Sequence, residues 1–110
     1  MALSPVAGQA EPLALGIATA RTQVDGNGIN EIHIELDKAG RDAFHALTRE
    51  NVARTLDILI DGRLAVSAMI RVPIPDGRIL ITSQYSAVEA AEIVRRLQDG
   101  SATATARTRN

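Results

Sequence analysis

Three polar side chains in the first third of the chain have the types and spacing that metal binding or acid–base catalysis requires. Glu31, His33 and Glu35 alternate with Ile32, Ile34 and Leu36 in "INEIHIEL". On a strand, residues two apart point to the same side, about 7 Å from each other. Two carboxylates and an imidazole arranged in this way could bind a metal ion or form an acid–base pair.

The same alternation has a simpler explanation, which we favour. A strand with one face on the core and one face in water shows this apolar–polar pattern without any catalytic role. Upstream, Asp25 and Asn27 begin like a calcium loop in "DGNGINEIHIEL", but Asn30 stands where that loop needs glycine and Leu36 where it needs glutamate. We expect a hairpin turn there, no metal site, no cofactor and no catalytic residues.

Composition excludes several further classes of function. The chain has 110 residues, a net charge of -1 and no cysteine, and its only aromatic residues are Phe44 and Tyr85. A near-neutral chain has no strong field for nucleic acid, so no nucleic-acid partner is expected. Without cysteine there is no disulfide or thiol chemistry. No stretch approaches the roughly 20 apolar residues of a membrane span, so no transmembrane segment is expected.

The spacing of apolar residues predicts an α+β fold with the element order ββαβββα. Strands are expected over residues 13–22, 29–37, 55–61, 63–70 and 78–84, with a hairpin at Asp61-Gly62. Asp37 can cap a first helix that ends near Asn51. Ser86 and Glu89 have the spacing of a capping box for a second helix, which Gly100 would end. We expect a mainly antiparallel sheet with both amphipathic helices on one face.

The two ends of the chain have different compositions from the middle. Residues 1–12 contain two prolines and small residues, and are expected to be a flexible lead-in without the basic region of an intact signal peptide. Residues 101–110, "SATATARTRN", are small and polar, and are expected to be a disordered tail. One domain is therefore predicted over residues 13–100.

The sequence of that domain contains an ordered set of short motifs that is specific enough to compare with a known family. The stretch from Ile32 to Gly100 contains, in order, "LDKAGRDAF", "TRENV", "IDG", "SAMI", "PI", "ILIT" and the capped "EAAEIVRRL". It resembles the head part of the first periplasmic domain of SecD and fused SecDF export proteins. Those proteins have a helix that opens with a small-residue "EG" or "AG" step and closes on "TREN". A hairpin at "LDG", a "VISAPVI" strand, a "PI" turn and an "FTxEEA" helix follow.

The resemblance also has limits. Met69 stands where the family has a proline in "SAPVI", and "GSATAT" replaces the family's "GALPAP" after the last helix. The membrane segments and the other half of the periplasmic domain have no counterpart. What the resemblance implies is a soluble, non-enzymatic module in the bacterial periplasm, associated with the inner membrane. Its expected partners are an unfolded or emerging polypeptide and Sec export components; a cytoplasmic location stays open.

The residues that would contact a polypeptide are predicted in "AMIRVPIP". Two prolines interrupt regular pairing there, so a strand edge with open backbone groups is expected. Such an edge can accept an extended chain by strand addition. The predicted binding residues are Ala68, Met69, Ile70, Val72, Pro73 and Ile74. Two alternatives stay open: an ordinary core strand followed by a turn, and an assembly domain that docks one folded partner or a second copy of itself.

Overall fold

The computed structural model describes residues 12–82 and 85–110. The predicted lead-in, residues 1–12, lies outside the described residues except for Pro12. Two helices and seven strands follow in chain order: β1 (Leu13–Ala14), β2 (Ile17–Val24), β3 (Asn30–Leu36), α1 (Lys38–Glu50), β4 (Thr55–Ile60), β5 (Arg63–Met69), β6 (Arg78–Ile81), α2 (Ala87–Asp99) and β7 (Ala104–Arg109).

The strands form two antiparallel sheets. The larger has the order β1-β7-β4-β5 and the smaller the order β2-β3-β6. The α+β class and the predicted order of elements are confirmed. The first predicted strand is divided into β1 and β2, which join different sheets.

An aliphatic core lies between these elements, as the shortage of aromatic residues requires. Its largest fully buried apolar side chains are Phe44, Ile32, Ile34, Ile58 and Ile81. The three isoleucines from β3 and β6 and the isoleucine from β4 bring the two sheets into one hydrophobic cluster. The alternation predicted for β3 is confirmed, because Ile32, Ile34 and Leu36 all lie in that cluster.

Helix α1 begins at a tight contact with the chain that precedes it. The Asp37 carboxylate accepts a hydrogen bond from the Gly40 N–H (2.7 Å), which is the predicted N-cap. A side chain on Gly40 would place its Cβ 2.8 Å from the Gly16 carbonyl oxygen. Glycine is therefore required by close packing inside this helix, and the "AG" step in the sequence has a steric cause.

Helix α2 has both predicted caps. Ser86 and Glu89 form a complete capping box, and Gly100 ends the helix in the left-handed conformation with φ 83°. Ala90 and Leu97 are buried, and the Gln98 side chain donates to the Ala20 carbonyl on β2. The helix is thereby fixed against the smaller sheet.

The predicted disordered tail is wrong. Residues Ala104–Arg109 form β7, which pairs with β1 on one side and β4 on the other. Its alternate residues Ala104, Ala106 and Thr108 are buried. Small side chains bury little area, so the apolar signal in the sequence is weak; the strand is stabilised by hydrogen bonding to two neighbours that only the tertiary fold supplies.

Candidate functional site

β5 is an edge strand of the larger sheet, as the sequence predicts for the region that contains Ala68 and Met69. It pairs with β4 alone among the strands of the described residues. The β4–β5 hairpin turns at Asp61 and Gly62, whose φ angles of 52° and 78° fit the primed turn expected for Asp-Gly. The register shifts between Ile58 and Leu59, which marks a bulge near the turn.

The structure divides the six predicted binding residues into two groups. Ala68 and Met69 lie on the edge strand and are exposed, and Val72 follows it at 66 % exposure. Ile70 is only 3 % exposed and belongs to the core, and Pro73 and Ile74 are half-buried. Ile70 and Ile74 pack on the body of the protein, and only part of the segment faces outward.

Hydrogen bonds fix the segment that follows β5. The Ile70 N–H donates to the Arg54 carbonyl (2.9 Å), and the Ile70 carbonyl accepts from the Ala53 N–H (2.8 Å). Further along, the Ile74 N–H donates to the Thr48 hydroxyl at the end of α1 (3.0 Å). Val72 thus lies on a segment held at both ends, and Ala68 and Met69 lie on a strand paired with β4, so the three present a preformed surface.

A cluster of charged side chains, which was not predicted from the sequence, lies on the outer face of the same sheet. Arg107 Nε and Arg109 Nε, both on β7, donate to the same Asp57 carboxylate oxygen at 3.1 and 2.9 Å. Ser67, on β5, donates to the other oxygen at 2.7 Å. The Asp57 side chain is 1 % exposed. An acidic residue inside the apolar run "TLDILI" and two arginines spaced two apart in "ARTR" were the available signals.

The hydrogen bonds keep the Asp57 carboxylate charged. Burial by itself raises the pKa of this group, but the bonds from Ser67, Arg109 and Arg107 together lower it more, so the pKa lies below its ordinary value. A buried carboxylate with several charge-assisted donors is satisfied, and it holds its two arginines in place.

The structure brings only two of Glu31, His33 and Glu35 together. His33 Nε2 lies 3.0 Å from Glu31 Oε1, whereas Glu35 contacts Thr19 and Arg78 instead. Within residues 12–82 and 85–110, no group of three or more His, Cys, Asp or Glu is placed to hold a metal ion. Asp25 accepts bonds from the Asn27 and Ile29 N–H groups, so its carboxylate closes the β2–β3 turn.

A second surface lies between α2 and the β4–β5 hairpin. A groove there is lined by Ile60, Tyr85, Val88 and Ile93, with the Asp61–Arg96 ion pair at one side. Val88 is 80 % exposed, the highest value among the exposed large apolar residues of the described chain. Neither described helix is long and apolar enough to cross a bilayer.

Comparisons with known proteins agree on one family. The model of the SecDF P1 head subdomain matches residues 13–104. SecDF of Thermus thermophilus is 34 % identical over 92 residues, which is 82 % of this chain, and SecD of Dictyoglomus turgidum is 26 % identical over 84 residues, which is 76 % of it.

Solved structures give the same answer. A structure described as that of "a membrane component SecDF that enhances protein export" superposes with a TM-score of 0.70 at 31 % identity, covering 76 % of this chain and 38 % of that one. A crystal structure of SecDF in the super-membrane-facing form also gives 0.70, at 28 % identity, covering 84 % of this chain and 12 % of that one.

The match covers a small part of the longer proteins. The chain spans 12 % of the length of the Thermus relative and 21 % of the Dictyoglomus relative. The family model nevertheless spans the whole domain from β1 to the start of β7. This chain belongs to the SecDF P1 head subdomain family.

Proposed function

We propose that this chain is a non-enzymatic module that contacts an extended polypeptide during or after protein export across the bacterial inner membrane. It would act at the periplasmic side of that membrane, alongside Sec export components. The observation that carries the proposal is the side of β5 around Ser67 and Met69 that faces away from β4, where no strand of the described residues pairs with it, next to the exposed Met69 and Val72. Membership of a family whose longer members are translocase subunits supports it.

An edge strand offers a client backbone hydrogen bonds that are independent of the client's sequence. Specificity then comes only from side chains beside the edge, which suits a protein that meets many different chains. The contact surface is Ala68, Met69 and Val72, with Pro73 at its margin. Ile70 and Ile74, also predicted as binding residues, would contribute by holding this surface in shape.

The test is a two-dimensional amide NMR titration of the ¹⁵N-labelled chain with a secreted protein kept unfolded by reduction and carbamidomethylation. Amide shifts that cluster on residues 67–72 support the proposal. A Met69→Lys and Val72→Lys double variant should lose those shifts, since both side chains are exposed and their replacement leaves the core intact. Absence of any shift at large excess of the unfolded protein would contradict it.

The groove beside Val88 favours a second candidate, an assembly domain that docks one folded partner or a second copy of itself. An exposed valine above Ile60 and Ile93 provides an apolar surface that a partner could cover. Light scattering after size exclusion distinguishes the two. A dimer that Val88→Asp dissociates would favour assembly, and a monomer at high concentration would leave the polypeptide-contact proposal as the better one.

A further inference from the structure

The Arg109 side chain crosses the sheet from its centre to its edge. The strand order is β7-β4-β5, and Arg109 begins on β7. Its Nε donates to Asp57 on β4 at 2.9 Å, and its Nη2 donates to the Ser67 hydroxyl on β5 at 3.3 Å. The guanidinium of Arg109, from the interior strand β7, therefore lies beside the edge strand β5.

The cluster leaves positive charge on the outside. Two guanidiniums surround one carboxylate, so the three groups carry a net charge of about +1 at neutral pH. The Asp57 side chain is 1 % exposed, whereas Arg107 and Arg109 are 43 % and 52 % exposed. Asp57 is the only carboxylate paired with either arginine in the described part of the chain. The negative charge thus lies at the bottom of the cluster and the positive charge faces solvent.

At Ser67 and Met69, no strand among the described residues pairs with the side of β5 that faces away from β4. Both backbone groups of Ile70 bond toward the β4 side, to Arg54 and Ala53. In an antiparallel ladder, alternate residues direct their N–H and C=O groups to opposite sides. Met69 therefore directs these groups outward. Ser67, two residues earlier, directs its N–H and C=O groups outward as well. Its hydroxyl accepts the hydrogen bond from Arg109 Nη2.

We propose that the β5 edge selects extended polypeptide segments that carry an acidic side chain between two apolar ones. The inference deepens the proposed function and rests on it. A strand added to β5 would lie about 4.8 Å beyond it. Its acidic side chain opposite Ser67 would reach the outward donors of Arg109. One apolar neighbour would lie beside Met69, which is 60 % exposed. The other would lie beside Leu64, 55 % exposed, which shares the outer face with Ser67 because the register shift before Leu59 leaves Ala65 as an extra residue.

The proposed client pattern reads the same in both directions, so a client strand could add to β5 in either direction. Residues two apart on the added strand share a face, and an apolar–x–acidic–x–apolar segment presents the same groups when reversed. A basic residue at the central position would face Arg109 with like charge and be disfavoured. The β5 edge would thus bind clients with different affinities according to their local charge. The backbone hydrogen bonds would be common to all clients.

The experiment titrates the ¹⁵N-labelled chain with three seven-residue peptides, Thr-Val-Thr-X-Thr-Val-Thr, in which X is Glu, Gln or Lys. We expect the Glu peptide to bind about fivefold tighter than the Gln peptide and the Lys peptide to bind weakest. The shifted amides should centre on Ser67 and Met69. Raising the salt concentration should bring the three affinities together, because the arginines are half exposed.

Two variants form a matched pair. Arg109→Gln and Arg107→Gln each remove one bond to Asp57, but only Arg109 reaches Ser67. The preference for Glu over Gln should disappear in Arg109→Gln and persist in Arg107→Gln. Its loss in both variants would overturn the role of Arg109 and indicate bulk charge instead.

The result also distinguishes this inference from the function on which it rests. Equal binding of the Glu and Gln peptides at the β5 amides would overturn the inference and leave the contact proposal standing. If no peptide shifts the β5 amides, and the unfolded protein of the first titration does not either, both fail. If the unfolded protein binds at residues 67–72 and the Glu peptide does not bind, only the acidic preference is wrong.

Discussion

The Thr48 hydroxyl, at the end of α1, accepts a hydrogen bond from the Ile74 N–H at 3.0 Å. The single hydrogen of the same hydroxyl points to the carbonyls of Phe44 and His45, each 3.0 Å from the Thr48 oxygen, and Thr48 is fully buried. One side chain therefore connects the helix to the proline-containing segment after β5. This bond gives the "TREN" end of the helix a direct structural role beside the proposed contact surface.

Replacing Thr48 with Val should destabilise the protein by about 1–3 kcal/mol, since a half-buried N–H loses its acceptor. The change keeps the size and branching of the side chain. Amide hydrogen exchange should accelerate at Ile74 more than at core amides such as Ile34. Thr48→Ser keeps the hydroxyl and serves as the control. Equal exchange at Ile74 in both variants would show that this bond does not hold the segment.

Gly40→Ala should destabilise the protein, although alanine favours a helix interior by about 1 kcal/mol over glycine. The new Cβ would lie 2.8 Å from the Gly16 oxygen and 3.0 Å from the Gly16 nitrogen, which are backbone atoms that cannot rotate away. Overpacking of this kind costs about 1–3 kcal/mol. Urea unfolding measures the difference.

The matched control for that substitution is Gly26→Ala. A Cβ on Gly26 would meet nothing within 4 Å, so this variant should unfold at nearly the wild-type urea concentration. Wild-type stability or better for Gly40→Ala would mean that the contact with Gly16 relaxes without cost.

The stability contributed by Asp57 should be lost in acid. Its pKa is lowered in the folded protein, because three hydrogen bonds outweigh the effect of burial, whereas the unfolded value is about 3.9. A group with a depressed pKa stabilises the fold above its unfolded pKa, and this contribution disappears as the pH falls through the folded pKa.

The Asp57→Asn variant isolates this group from other carboxylates with lowered pKa, such as Asp61 and Glu89. We expect it to be less stable than wild type at pH 7 by about 1.5–3 kcal/mol, since hydrogen bonds to a charged group are lost. The difference in unfolding free energy between wild type and variant should become smaller below about pH 4. Urea unfolding between pH 2.5 and 7 measures both effects. A constant gap over that range would contradict the assignment.

Deletion of residues 104–110 should abolish cooperative unfolding. The deleted strand separates β1 from β4 and buries Ala104, Ala106 and Thr108. Circular dichroism during heating should show no sharp transition. Deletion of Asn110 alone removes one exposed residue and should leave the melting temperature unchanged. A cooperative transition in the longer deletion would restore the interpretation of this segment as a tail.

Local signals determined much of this protein. The Asp37 cap, the Ser86–Glu89 capping box, the Gly100 helix end and the Asp61-Gly62 hairpin depend on neighbouring residues, so their positions could be predicted from the sequence. The apolar alternation from Ile32 to Leu36 likewise determined the buried face of β3. The order of short sequence motifs from Ile32 to Gly100 was sufficient to indicate the family, and the match to the family model then showed it.

Only the tertiary structure decided where distant segments meet. The alternation of alanine and threonine in β7 buries too little apolar surface to signal a strand, and its place between β1 and β4 depends on pairing with both. The cluster of Asp57 with Arg107 and Arg109 joins residues 50 and 52 positions apart, which no local pattern connects. Ile70 and Ile74 face inward for the same reason, because the fold of the whole chain determines which side of a short segment is covered.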